Sequence, residues 1–235
     1  MTAIIADILK QTLSELDWIE RFAGMVTPAT RPVFVTVEGG QQVVTGYETF
    51  PVACDVNEAQ CWEGGQYKTL MPDGGKGAVA FFTESSGVSL KDYGGPKHNE
   101  LTFSFELKFL CWVNTRRLTS ELTGGTCNVA GRVAPYVISR FWGQHSAADV
   151  YGPSSPEAAA FQRIDVKSIR QLPKTPDMFS PFTFASPGDR RGLFLFPYDY
   201  FGLVVGGQFV MNRACLPDLY EAPFVFTDPA TCIDT

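Results

Sequence analysis

The segment Leu101-Thr-Phe-Ser-Phe-Glu-Leu-Lys-Phe-Leu-Cys-Trp-Val-Asn114 constrains this chain more than any other. Leu101, Phe103, Phe105, Leu107 and Phe109 fall on one side of an extended backbone; Thr102, Ser104, Glu106 and Lys108 fall on the other. Successive side chains of a strand point to opposite faces, so this alternation predicts a long amphipathic strand. Its length predicts a central place in the sheet. Its two unlike sides predict an antiparallel sheet whose faces are differently covered.

The remaining elements are read outward from that strand. Ile4, Ile5, Ile8, Leu9, Leu13, Leu16, Ile19 and Phe22 recur at three and four residues, with Asp7, Lys10, Gln11, Ser14, Asp17 and Arg21 on the opposite face. The pattern predicts an amphipathic helix over roughly the first 23 residues. Thr2 is expected as its cap and Gly24 as the glycine after its end. Trp18 stands off the main stripe, as a half-buried flank residue or as a contact to a neighbouring subunit. After Pro28 and Pro32 the period changes to two. Arg31 to Glu38 reads as a strand, Gly39-Gly40 as a turn and Gln41 to Phe50 as the hairpin partner. Cys54 to Leu70 reads as an irregular excursion, and Pro72 to Gly77 as a turn into the short strand Ala78 to Phe82. A loop is expected over about 84–100 and a connection from Arg116 to Thr126. Val133, Val137, Ile138, Phe141 and Trp142 predict a second helix within Asn128 to Gln144, with Pro135 in its first turn or two, where proline is tolerated. Ala148 to Ala160 reads as a linker and Phe161 to Ile169 as a strand. Residues 173–189 form a proline-rich loop, Leu193 to Asn212 an apolar strand pair or one kinked strand, and about 214–235 an irregular tail. The order helix, strands, helix, strands gives a single α+β domain over 1–235: a mainly antiparallel sheet with both helices packed on it. A chain of 235 residues suits one such domain.

Composition narrows function. Charged residues make up 19% and aromatics 13%, with 19 Phe. Charge therefore covers less surface than usual, and aromatic anchors enrich interface cores, so a partner chain is one cover for the remainder and a Phe-rich core is the other reading. The net charge of −6 argues against tight nucleic-acid binding, which depends on Lys and Arg at phosphates. Met-Thr-Ala-Ile-Ile-Ala-Asp-Ile lacks a basic leader, so no signal peptide is expected. No apolar stretch reaches the ~18 residues of a membrane helix, so no membrane partner is expected. The six cysteines, Cys54, Cys61, Cys111, Cys127, Cys215 and Cys232, contain no C-x-x-C pair, and His98 and His145 are the only histidines. The cysteines read as reduced packing residues, and neither a metal nor a cofactor is expected.

The chemistry-bearing motifs fail one by one. There is no G-x-S-x-G. Gly74-Gly-Lys-Gly77 lacks the Ser or Thr that binds magnesium in a phosphate loop, and reads as a turn. The loop aspartates Asp55, Asp73, Asp92 and Asp189 are too scattered for a calcium ladder. Cys111 beside Trp112 is in the wrong setting for an exposed thiolate. His145 ends the second helix, where a cation complements the helix dipole. No catalytic residue is therefore expected. Trp18, Trp62, Arg190, Arg191, Tyr198 and Tyr200 are the candidate subunit-interface residues. Trp62, Trp142 or the Tyr198/Tyr200 pair would alternatively serve a ligand-binding module; Pro197 to Phe201 also reads as a strand entry with its rings packed on neighbours, and Asp189 to Gly192 as a solvated charged turn.

Three segments together, the N-terminal helix leading to a proline-bounded strand, Leu107-Lys-Phe-Leu-Cys-Trp-Val-Asn114, and Phe196-Pro-Tyr-Asp-Tyr-Phe-Gly-Leu-Val-Val-Gly-Gly-Gln-Phe-Val-Met-Asn212, resemble small neck or tail-completion (tail-terminator-like) proteins of tailed bacteriophages. The resemblance implies a virion protein made in the host bacterial cytoplasm. It implies a ring, hexameric or dodecameric, at the head–tail junction. Its partners would be copies of itself and the tail tube, connector or portal proteins, with DNA passing but not bound by sequence. The long Gly-rich and Pro-rich insertions depart from the simplest members. A cap or baseplate subunit of a contractile injection machine is the alternative; a scattered-site hydrolase is a further one.

Overall fold

The computed structural model of this chain describes residues 1–36, 40–53, 62–63, 66–67, 70, 75–92, 100–118, 128–182 and 197–212. Its elements in chain order are α1 (Thr2–Thr12), β1 (Arg21–Thr36), β2 (Gln42–Ala53), β3 (Trp62–Glu63), β4 (Gln66–Tyr67), β5 (Ala78–Asp92), β6 (Glu100–Asn114), α2 (Val129–Phe141), β7 (Gly143–His145), α3 (Ala148–Tyr151), α4 (Pro156–Ala160), β8 (Phe161–Gln171), a 3-10 turn (Pro176–Phe179) and β9 (Tyr198–Asn212). A seven-stranded sheet runs β2-β1-β5-β6-β9-β8-β7, and β3 pairs with β4 separately. Every pairing is antiparallel except β1 with β5. The fold is mixed α+β with a mostly antiparallel sheet.

β6 lies fourth of the seven strands. Its alternation separates two apolar clusters. Phe105, Leu107, Phe109, Cys111 and Val113 join the larger one, with Ile5, Ile8 and Leu9 of α1 and Val133, Val137 and Phe141 of α2. Leu110 and Trp112 point the other way, into a smaller cluster with Val79, Phe81, Met178, Phe179, Phe182 and Tyr200. The end of β6 is thus buried on both faces, which is why its alternation gives way to a continuous apolar run. Rings lock the larger cluster: Phe109 lies 5.8, 5.3, 5.2 and 6.0 Å from Phe22, Phe82, Phe141 and Phe201. In the smaller one Trp112 stacks on Phe179 at 3.9 Å.

Several expectations are corrected. The first helix ends at Thr12, not near residue 23. Leu13, Leu16, Ile19 and Phe22 repeat strictly every three residues, and here Leu16 and Ile19 donate to the carbonyls three residues back, so a series of tight turns carries the pattern. Arg21 to Met25 then pair with β5, a demand from the sheet that outweighs local spacing. Thr2 does not cap α1; its hydroxyl donates to Glu84 Oε1 at 3.2 Å. Gly24 lies inside β1, where a Cβ would collide with the Asp7 carboxylate of α1. β5 runs on to Asp92 through two register shifts, so the strand replaces the start of the expected loop over 84–100. The outer half of β6 needs this partner for its backbone groups.

The linker Ala148 to Ala160 contains two short helices. Ser155 caps the second, its hydroxyl accepting from the Ala158 N–H at 3.0 Å, with Pro156 at the first helical position. Ser-Pro-Glu-Ala is a helix-start signal that a composition-based reading as linker overlooks. Pro135 falls in the second turn of α2. His145 leaves that helix in β7, but its Nε2 donates back to the Phe141 carbonyl at 2.9 Å, satisfying an acceptor at the helix end. β9 is one long strand between β6 and β8. Cys54, Cys61, Cys127, Cys215, Cys232, His98, Asp189, the segment 193–196 and the tail from Ala214 lie outside the described residues.

Candidate interaction surfaces

Beyond the sheet's body, β1 and β2 continue as a two-stranded arm. β5 accompanies β1 only from Arg21 to Met25, whereas β2 accompanies it from Val26 to Thr36. The register sets Pro32 opposite Tyr47, Phe34 opposite Val44 and Val35 opposite Val43, with a bulge between Val33 and Phe34. Phe34 and Val44 therefore occupy one face of the ribbon and Val35 and Val43 the other. Both faces are apolar and both are open: Phe34 is 52% exposed, Tyr47 71%, and the three valines 42–47%. Among the described residues, five of the nine large apolar side chains exposed by 40% or more lie on this arm. Arg31, at its base, is opposite Glu48; from Pro32 to Tyr47 the described residues carry no charge. An uncharged apolar ribbon of this kind is a template for association.

The other end of the sheet carries a second apolar feature. The buried side of α2 packs over β6 and β9, and its C-terminus leads directly into β7, the terminal strand opposite β2. Trp142, the residue between α2 and β7, is 59% exposed. Tyr136 of α2 is also exposed. Close to this helix end Arg140 pairs with Glu15 at 2.6 Å.

On the sheet face opposite the helices, Ser86, Ser89, Lys91, Ser104, Glu106, Lys167, Ser168, Gln208 and Gly206-Gly207 line a shallow groove of about 330 Å³. Its side chains satisfy one another across strands. Ser89 and Ser104 hydroxyls lie 2.7 Å apart, Ser85 donates to Glu106 at 2.6 Å, and Lys167 donates to Gln208. Such cross-strand pairs suit a solvated sheet face.

The sequence-based site residues are dispersed. Trp18 is buried in its own chain's larger cluster. Tyr200 is buried in the smaller one, edge-on to Phe179 at 5.4 Å with the Lys174 ammonium over its ring. The two therefore lie on opposite sides of the sheet and present no common surface. Tyr198 is half-buried where β9 begins. The backbone of Trp62 forms part of β3, but its side chain, like Arg190 and Arg191, lies outside the described residues.

The Pro197–Phe201 segment has a structural task. Asp199 accepts from the Ala130 N–H at 2.9 Å and from the Tyr200 N–H at 2.9 Å, and pairs with Lys174. A carboxylate on the first turn of α2 satisfies a donor without an intrahelical partner and complements the helix dipole. Burial and the adjacent Asp199 raise the Tyr200 hydroxyl pKa. Tyr151 donates to Asp7 at 3.1 Å; burial first, then this carboxylate, pushes its pKa well up.

Cys111 is fully buried and burial pushes its thiol far above the ordinary range, which keeps it protonated and unreactive. Among the described residues no group of three or more His, Cys, Asp or Glu is placed to hold a metal, and no helix is long and apolar enough to cross a membrane.

The arm is the feature that sequence reasoning missed. The signal lay in Val33-Phe34-Val35 and Val43-Val44: consecutive apolar residues leave a hairpin with no polar face. Comparison of this chain with protein-family models and with curated proteins finds no match.

Proposed function

We propose that this chain is a structural subunit that assembles with copies of itself, and that its place is a ring at the head–tail junction of a tailed bacteriophage, joining the tail tube to the connector or portal while DNA passes. The observation that carries the self-assembly is the β1–β2 arm, apolar on both faces and uncovered by its own chain among the described residues. A soluble subunit with such an arm gains by burying it against a partner, at about 25 cal/mol per Å² of apolar surface removed from water. In the finer architecture of this reading, α1 and α2 cover one face of the sheet and leave both terminal strands to neighbours. The phage assignment rests on the resemblance of three segments to tail-completion proteins; the net charge of −6 suits a channel that DNA crosses without adhering.

Sedimentation velocity and native mass spectrometry of the purified chain, alone and mixed with tail-tube and connector proteins, test the reading. The expected outcome is a closed oligomer that also binds the tube. A strict monomer indifferent to both partners would overturn it.

A further inference from the structure

The arm and Trp142 sit at opposite ends of one sheet. β2 closes the strand order at one side and β7, directly after Trp142, closes it at the other. β7 spans three residues and covers β8 only from Ile164 to Val166. Among the described strands nothing pairs with the outer edge of β8 from Lys167 to Gln171. That end therefore combines an exposed indole with an open strand edge, while the other end combines an apolar ribbon with an open terminal strand.

We propose, building on the self-assembly reading above, that the β1–β2 arm of one copy docks on the Trp142-bearing edge of a second copy of this chain in a head-to-tail contact. Three observations favour a second copy as the occupant. The chain itself supplies a large exposed aromatic outside the arm, at the far end of the same sheet. The exposed parts of Phe34, Tyr47 and the three valines amount to roughly 400–500 Å² of apolar residues, taking about 200 Å² for an aromatic side chain. That is about half of the ~800 Å² each partner contributes to a standard interface, the usual apolar share. The exposed threonines and glutamines of the arm, Thr36, Gln41, Gln42 and Thr45, provide the polar rim. Because the two surfaces differ, one contact leaves an arm free at one end and an edge free at the other. A head-to-tail contact of this kind propagates, as a ring where the rotation closes and as an open chain where it does not.

Two variants decide the matter: F34S/Y47S removes the arm's anchors and W142S removes the edge's. All three side chains are exposed, so both variants should unfold at the temperature of the dissociated wild type, which a thermal melt at a dilution where the wild type is monomeric checks. By sedimentation velocity and native mass spectrometry the wild type is expected to assemble beyond a dimer. Each variant alone should be monomeric, with self-association weakened about 30-fold or more, as for loss of an interface anchor. Mixed together they should form a 1:1 dimer that does not grow, since the arm variant keeps an intact edge and the edge variant an intact arm. W142S assembling like wild type while F34S/Y47S stays monomeric would overturn this docking and leave self-assembly standing. So would two monomeric variants that do not pair on mixing. A wild type that remains monomeric at its highest soluble concentration would overturn self-assembly and the docking together.

Discussion

The two halves of β1 use the same residue types and meet opposite fates. Phe22, Ala23, Met25 and Val26 are buried, whereas Phe34 and Val35 stand about half exposed. The inner half has β5 beside it and joins both apolar clusters; the outer half has β2 alone. Backbone pairing is thus met along the whole strand, but side-chain burial requires a third element over the ribbon. An isolated two-stranded hairpin is marginal in water, so the outer half gains most from a neighbour. Intrinsic strand preference says little about whether a strand serves the core or an interface.

Substitutions graded along this contrast test it. The largest effect is expected at Phe109, where four rings converge on a fully buried side chain. Phe109→Ala should lower unfolding free energy by about 3–5 kcal/mol, read as a shift in the denaturant midpoint. A loss under about 1 kcal/mol would mean that the ring cluster is not the sheet's anchor. An intermediate effect is expected at Asp199, which links β9 to the start of α2. Asp199→Ala should cost about 1–2 kcal/mol, the range for removing a helix cap, and amide exchange should accelerate first at Ala130. Unchanged exchange there would remove Asp199 from this role. The smallest effect on the single chain is expected in the arm. Phe34→Ser should change monomer stability by no more than about 0.5 kcal/mol, measured at a dilution where the wild type is dissociated. A loss comparable to that of Phe109→Ala would erase the distinction between the halves of β1, because it would place Phe34 in its own chain's core.

Legibility followed the range of the interactions. β6 and β8 are near their expected bounds because side-chain alternation is a local property of an extended chain, and β9 ends at Asn212 as expected. α2 is legible from the spacing of Val133, Val137 and Phe141. α1 is half legible: Ile4 to Leu9 repeat as a helix does, while the three-residue repeat from Leu13 onward belongs to turns. The extension of β5 past Glu84 was not legible, because its polar residues are held in strand by β6 rather than by their own preference. Among the candidate interface residues, the reading of Pro197–Phe201 as a strand entry with packed rings matches Tyr200 under the Pro176–Phe179 turn, whereas an off-stripe position understated the burial of Trp18 and nothing local revealed that Asp199 caps a helix.

By itself the sequence determined the α+β class, the central alternating strand and the double-sided apolar character of the hairpin, all of which are written in the order of neighbouring residues. Only the tertiary structure decided that the hairpin is an arm and not core, and that Trp142 sits at the far end of the sheet from it. Exposure depends on which distant element covers a residue, and here β5 stops accompanying β1 after Met25.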